Sequence, residues 1–350
     1  MRLASCKPSL VRASVLLLLG TVACRGGAPL DRDGGTDEGD ARAPGDASRP
    51  IGEAGLETDT GPQGDAGVEG GLVFVGAWGG LGTEPGQFVE PSSVELDSEG
   101  FVYVAGHENR FQKFTPDGEL VAIYGVAGTG DGQFNHPHGL AVDRRRGDLV
   151  YVGDQENHRL QVFTTDGAFV RAWGDAGFQH IHDVGIDPST GDLFVGDYEL
   201  HTLRRFSPTG ELVATLAHPG RGPGEFDGVW GVSTDSAGNV YVADTFNRRV
   251  QKLDPDGRFV AEWSGFEGEP FVKPTGVFVD ARDLVHVCDS LADRVLVFDV
   301  DGAAIERWDL AAIVGSSSEP EDIVIDTAGT HIYIGEVRGH RVLHLMRPPR

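Results

Sequence analysis

Between Phe226 and Trp263 the apolar residues fall into four short runs, alternating with polar residues or β-branched, and three turn signals separate them. Short period-two runs bounded in this way read as a four-stranded antiparallel meander. The runs cover residues 230–234, 240–243, 250–253 and a last stretch ending at Trp263. Between them lie Asp235-Ser236-Ala237-Gly238, a loop carrying Asn247 and Arg249, and Pro255-Asp256-Gly257. The Asp-Gly pair is the most informative, because a tight hairpin needs residues that tolerate positive φ.

The same unit recurs along the chain. The Asp that closes its first strand stands at Asp97, Asp143, Asp187, Asp235, Asp280 and Asp326, 44 to 48 residues apart. The second strand ends at Gly106, Asp154, Asp197, Asp244, Asp289 and Glu336. An Arg follows in the next loop at Arg110, Arg159, Arg249, Arg294 and Arg341, with Thr202 in the third copy. Six four-stranded copies with no helical periodicity predict an all-β fold, a six-bladed β-propeller of four-stranded antiparallel blades. Outer strands end in Tyr124, Trp173, Trp263 and Trp308, and Trp78 has the same phase with no copy of its own. Copy six stops short of a fourth strand, so residues 72–79 are expected to complete the last blade and remove an open sheet edge.

The repeats resemble the NHL family. Pro85-Gly86-Gln87-Phe88, Asp131-Gly132-Gln133-Phe134 and Pro223-Gly224-Glu225-Phe226 carry its lead-in. Asn157-His158-Arg159-Leu160-Gln161 and Asn247-Arg248-Arg249-Val250-Gln251 carry its loop. The resemblance covers residue 72 to the end and implies the propeller fold without implying one activity. Trp308-Asp309 is a lone Trp-Asp pair, so the WD40 pattern of one per blade is not met.

Upstream of the repeats the composition changes twice. Arg2, Lys7 and Arg12 precede an apolar run from Ala13 to Ala23, too short to span a bilayer, that reads as a signal peptide. Thr21-Val22-Ala23-Cys24 resembles a bacterial lipobox, which implies lipidation of Cys24 after cleavage. Residues 1–24 are thus expected to be a lipoprotein leader. Residues 25–70 hold few large aliphatics, with four Arg against seven Asp and four Glu, and cannot bury enough surface to fold. They read as an acidic tether spanning about 40 Å as a flexible coil. Residues 71–350 form the propeller. The expected location is a bacterial cell envelope, with membrane contact only through the lipid.

The formal net charge is −25, and most of it remains on the propeller once the leader and tether are set aside. A domain this acidic repels phosphate, so no nucleic-acid partner is expected, nor adsorption to anionic lipid. Cys288 is the only propeller cysteine, which rules out an internal disulfide, and it reads as a small core residue. The Gly-rich segments 128–132 and 220–224 lack the Lys-Ser/Thr of phosphate loops and recur at one repeat phase, so they read as crossings between blades. The recurrent Asp and Arg residues read as an ion-pair or turn-capping lattice between blades, since chemistry would need them once rather than six times.

Function must lie where the copies differ. At the entrance of the inner strand one phase reads Ser92, His138, His182, Trp230, Thr275 and Glu321, a polar ring expected to bind ligand at the channel mouth. His136 and His180 lie two residues earlier, and period-two alternation places each on the face of its partner. Pro137-His138-Gly139-Leu140, His182-Asp183-Val184 and Asp197-Tyr198-Glu199-Leu200-His201 resemble the lyase domain of peptidylglycine amidating enzymes. That resemblance implies a divalent transition metal such as zinc on His138 and His182; the shared strand faces would let His136 and His180 join them, and Tyr198 or Glu321 stand nearest as acid or base to such a metal. The pattern departs from that family, for the two His stand in adjacent copies, Phe246 occupies the D-x-Y position of copy four, and Tyr198 is one place off. The leading expectation is a lipid-anchored binding or scaffold module for a protein, peptide or surface polymer. The alternatives are a metal-dependent lyase or hydrolase at the mouth and a purely structural envelope protein.

Overall fold

The computed structural model describes residues 71–174 and 177–348. The expected leader, the tether and Cys24 lie outside the described residues. The remainder is a six-bladed β-propeller of four-stranded antiparallel sheets. In the copy that served as template the strands are Val229–Thr234, Val240–Asp244, Arg249–Leu253 and Phe259–Trp263, within two residues of the sequence expectation. Inner strands of the six blades are Pro91–Leu96, Pro137–Asp143, Ile181–Ile186, Val229–Thr234, Pro274–Val279 and Pro320–Ile325.

Blade six is completed from the far end of the chain. Val73–Gly79 pairs antiparallel with Arg341–Met346, so the last sheet is built from both ends of the propeller. Burial of apolar surface then proceeds around the ring. Val94, Val104 and Phe114 of blade one pack on Val324, Tyr333 and Val342 of blade six, and five similar clusters join each further pair of neighbouring blades. No blade owns a complete core, as expected for sheets that bury both faces.

Outer-strand aromatics explain the Asp-Gly turns. Gly118 has φ +86°, and a Cβ added there would stand 2.6 Å from the Trp78 indole, which packs beneath the turn of the next blade. Tyr124 meets Gly167 in the same way one blade on. The turn therefore needs glycine for its backbone and for the ring lodged under it.

The recurrent carboxylates work within each blade rather than between blades. Asp154 accepts hydrogen bonds from the Asn135 amide at 2.8 Å, Asn157 Nδ2, Arg159 Nε at 2.7 Å and Gln161 Nε2. Arg159 Nη2 in turn donates to the carbonyls of Gly130 and Gln133, fastening the incoming crossing segment onto the blade it enters. Blade one has Gly106 at this position, and Glu108 reaches over to accept from the Val89 amide instead. Second-strand tyrosines also link blades: Tyr333 donates to the Pro116 carbonyl at 3.1 Å across the closure. Cys288 is fully buried in blade five. A five-residue helix, Leu310–Val314, follows that blade. It escaped the sequence reading because so short a run holds too little of the 3.6-residue period.

Candidate functional site

In every blade the pairing of the inner strand with its neighbour shifts register just after the strand begins, as between Pro137 and Leu140 or Val229 and Val232. The residues caught in these shifts are Ser92, His138, His182, Trp230, Thr275 and Glu321. A bulge frees its residue from the ladder and re-aims the side chain, here toward the propeller axis. The His138 and His182 rings lie 3.8 Å apart between centroids, and His182 lies 4.2 Å from Trp230. Trp230 Nε1 donates to Glu321 Oε1, bridging from blade four past blade five to blade six.

These side chains close the axis. His138 Nδ1 hydrogen-bonds the His182 carbonyl at 3.0 Å, which fixes the proton on Nδ1 because a carbonyl only accepts. Thr275 Oγ1 donates to the Pro320 carbonyl at 3.1 Å, and Ser92 Oγ to that of Ala105. The gap left among Ser92, His182, Trp230 and Glu321 is 10 Å³, at the limit for one water, about 10–15 Å³. Instead of lining an open channel, the ring plugs it.

Burial governs protonation in the plug. Desolvation, reinforced by His107, lowers the His138 pKa to about 3, and His182 is lowered well below its ordinary value by desolvation and by His138. Both imidazoles are neutral at physiological pH. Desolvation pushes Glu321 up to about 7, opposed by Lys273, whose Nζ lies 4.0 Å from the carboxylate and 4.3 Å from the centroid of the Trp230 ring.

Outside the plug the mouth divides into two halves. In blades one to three, His107 Nδ1 lies 3.3 Å from Glu90, and His180 Nε2 lies 3.4 Å from Glu156. The His136 ring meets the His107 ring edge-on at 3.8 Å between centroids. The expectation that His136 would share a face with His138 fails for a backbone reason. His136 has φ +62° and the bulge follows it directly, so two-residue alternation does not carry across. His136 and His180 both turn to Glu156 rather than to the ring. In blades three and four the mouth is aromatic: Tyr198 lies edge-on to Trp230 at 5.2 Å and 5.7 Å from Phe246, which is 52% exposed.

His107 was missed in the sequence. It follows the residue that closes the second strand, the phase that Tyr198 occupies in blade three, and lining up that phase as well would have found it.

The residues do not fit the divalent metal expected on His138 and His182. Among the described residues no three His, Cys, Asp or Glu side chains converge as a ligand set. His138 has spent Nδ1 on a carbonyl, and Glu321 is held by Trp230. Three or four converging donors are what such ions require. Tyr198, expected as an acid or base, has its pKa raised by desolvation, which disfavours the phenolate. What the mouth offers is a rigid aromatic platform with a cation and an arc of imidazoles and carboxylates beside it.

Comparison with known proteins agrees with this architecture. The family model described as NHL repeat matches residues 134–163. Over 143 residues the chain is 29% identical to Protein brain tumor of Drosophila melanogaster, covering 41% of this chain and 14% of that protein. It is 36% identical over 99 residues to NHL repeat-containing protein 3 of Mus musculus, 27% of this chain and 28% of the other. With peptidylglycine alpha-amidating monooxygenase of Rattus norvegicus the identity is 31% over 201 residues, 53% of this chain and 20% of the enzyme. The chain thus spans between 14% and 28% of the length of these curated relatives. Virginiamycin B lyase from Staphylococcus aureus, solved in a catalytically inactive form with quinupristin, superposes with a TM-score of 0.55 at 14% identity, covering 75% of this chain and 82% of the lyase. A streptogramin B lyase superposes equally well, TM-score 0.55 at 13% identity, covering 78% and 97%. At such identities these structures share the fold.

Proposed function

We propose that this chain, an NHL-repeat β-propeller, is a binding module that takes a protein or peptide segment on the mouth face and lodges an apolar side chain against Phe246, Tyr198 and Trp230. The observation that carries this reading is Phe246, a large apolar side chain left 52% exposed and stacked on Tyr198, which rests in turn on Trp230. Clustered aromatics on a rigid scaffold are the usual anchors of protein recognition. Lys273 over Trp230 and the His107–Glu90 and His180–Glu156 pairs supply a polar rim. The likeness to NHL-repeat relatives supports the module reading, and the plugged axis gives the mouth a solid floor. The leader and acidic tether read from the sequence support export and attachment through Cys24, with the propeller held clear of the envelope membrane.

A peptide-display selection on residues 71–350 tests the mouth. Peptides carrying an aromatic or large aliphatic anchor should be enriched, and their binding should fall at least about tenfold with Phe246→Ala and with Tyr198→Ala. Selected peptides that bind both variants as tightly as the parent would overturn the reading.

A further inference from the structure

Beyond the plug, the axis opens into a chamber of 530 Å³ at the end where the inner strands finish. That volume falls in the range of small-molecule sites, about 300–1,000 Å³. Leu140, Val142, Ile186, Val277, Phe278 and Ile325, from blades two, three, five and six, give it apolar wall, and Asp143, Arg144, Arg145, Asp235, Asp280 and Asp283 line it as well. The plug makes it a blind pocket with one entrance.

Glu95, Asp183 and Asp322 face this chamber from blades one, three and six. Asp183 accepts from the amides of Val184 and Val232, at 2.8 and 2.7 Å. Asp322 accepts from the Ile323 and Val94 amides and from Ser93 Oγ, each at 2.9 Å. A carboxylate offers about four acceptor positions, so both retain unused ones. Arg144, anchored on the Leu96 carbonyl, lies 3.7 Å from Glu95 and compensates that charge. Asp183 and Asp322 have no cation of their own among the ion pairs of the described residues.

We propose that this chamber is a second binding site, separate from the mouth, for a small organic cation that carries an ammonium group on an apolar stem. The stem takes the aliphatic and Phe278 walls, and the ammonium donates its three hydrogens to the positions that Asp183, Asp322 and Glu95 leave open. A carboxylate buried without a cation of its own is costly, and a desolvated counter-ion is the partner that relieves it. Without a guest, burial and repulsion from Asp322 raise the Asp183 pKa well above normal, burial raises that of Asp322 to about 6, and burial outweighs Arg144 to raise that of Glu95 to about 7. A bound cation favours the ionised forms, so affinity should rise from pH 5 to pH 8 with release of protons.

Calorimetric titration of the propeller with hexylammonium, using hexan-1-ol as the uncharged control, tests this. The expected result is at least about tenfold tighter binding of the cation than of the alcohol at pH 8, with the difference shrinking at pH 5. Asp183→Asn/Asp322→Asn should abolish the preference, and Phe246→Ala at the mouth should leave it unchanged. If the double variant does not fold, Phe278→Trp, which narrows the chamber and keeps both acids, should weaken binding of both probes. Equal binding of cation and alcohol to the parent, an unaltered preference in folded Asp183→Asn/Asp322→Asn, or undiminished binding of both probes by Phe278→Trp overturns the proposal and leaves the mouth reading untouched.

Discussion

Trp78 faces Val342 across a pair of antiparallel strands, although 264 residues separate them in the chain. The indole then packs on Tyr333 of blade six and Phe114 of blade one, both at 5.9 Å between centroids. One residue thereby holds both sides of the seam at which the ring closes. Deleting residues 72–79 removes this strand and leaves the third strand of blade six with unpaired backbone groups. The expected outcome is a lower and broader thermal transition. A truncated domain that melts like the parent would show that closure resides elsewhere.

Steric demand at the turns separates two glycines of similar backbone. Gly118 has φ +86° and Gly147 φ +75°, yet a Cβ at Gly147 meets nothing within 4 Å whereas one at Gly118 runs into Trp78. Both Ala variants carry the cost of a left-handed alanine, about 1 kcal/mol. Gly118→Ala should lose a further ~1–3 kcal/mol in urea denaturation through overpacking. Equal losses at the two sites would refute the role given to the buried indole.

Glu321 couples stability to pH in a direction that can be read. Its pKa stands at about 7 in the folded protein against 4.5 ordinarily. Between those values the folded state holds a proton that the unfolded state has released, so this group stabilises below the window and loses that contribution as pH rises through it. Gln cannot ionise and its amide oxygen still accepts from Trp230. The stability of Glu321→Gln relative to the parent should therefore improve from pH 5 to pH 8, measured by chemical denaturation. A difference that stays constant across this range would mean that Glu321 ionises normally.

Anchoring is tested at Cys24, which follows the apolar run 13–23 and begins the acidic segment. Cells expressing the full chain should incorporate labelled palmitate into the protein, and Cys24→Ser should abolish the label and release the propeller from the membrane fraction. Label retained in the variant would remove the lipid anchor from the account.

The aromatic mouth and the plug have separable consequences. Trp230→Ala removes both the indole bridge to Glu321 and the floor under Tyr198, so it should open the axis and weaken peptide binding together. Phe246→Ala should weaken binding alone, with the melting temperature within a few degrees of the parent. Equal destabilisation by the two would mean that Phe246 is a core residue rather than a contact.

The amino-acid sequence by itself determined the strands, the blade count and the two-ended closure. Alternating apolar residues, Asp-Gly turns and the outer-strand aromatics act on their near neighbours in the chain, and a 44- to 48-residue repeat displays them six times over. It also singled out Ser92, His138, His182, Trp230, Thr275 and Glu321 as one phase. Tertiary structure decided what that phase does, because a bulge is a backbone event that aims each side chain without changing the residue pattern. The left-handed His136 broke an alternation that the sequence implied, and His107 entered the site from a loop at a different phase. Asp183 and Asp322, 139 residues apart, face each other across the chamber because closing six blades into a ring sets blade six opposite blade three, a distance relation that no local period records.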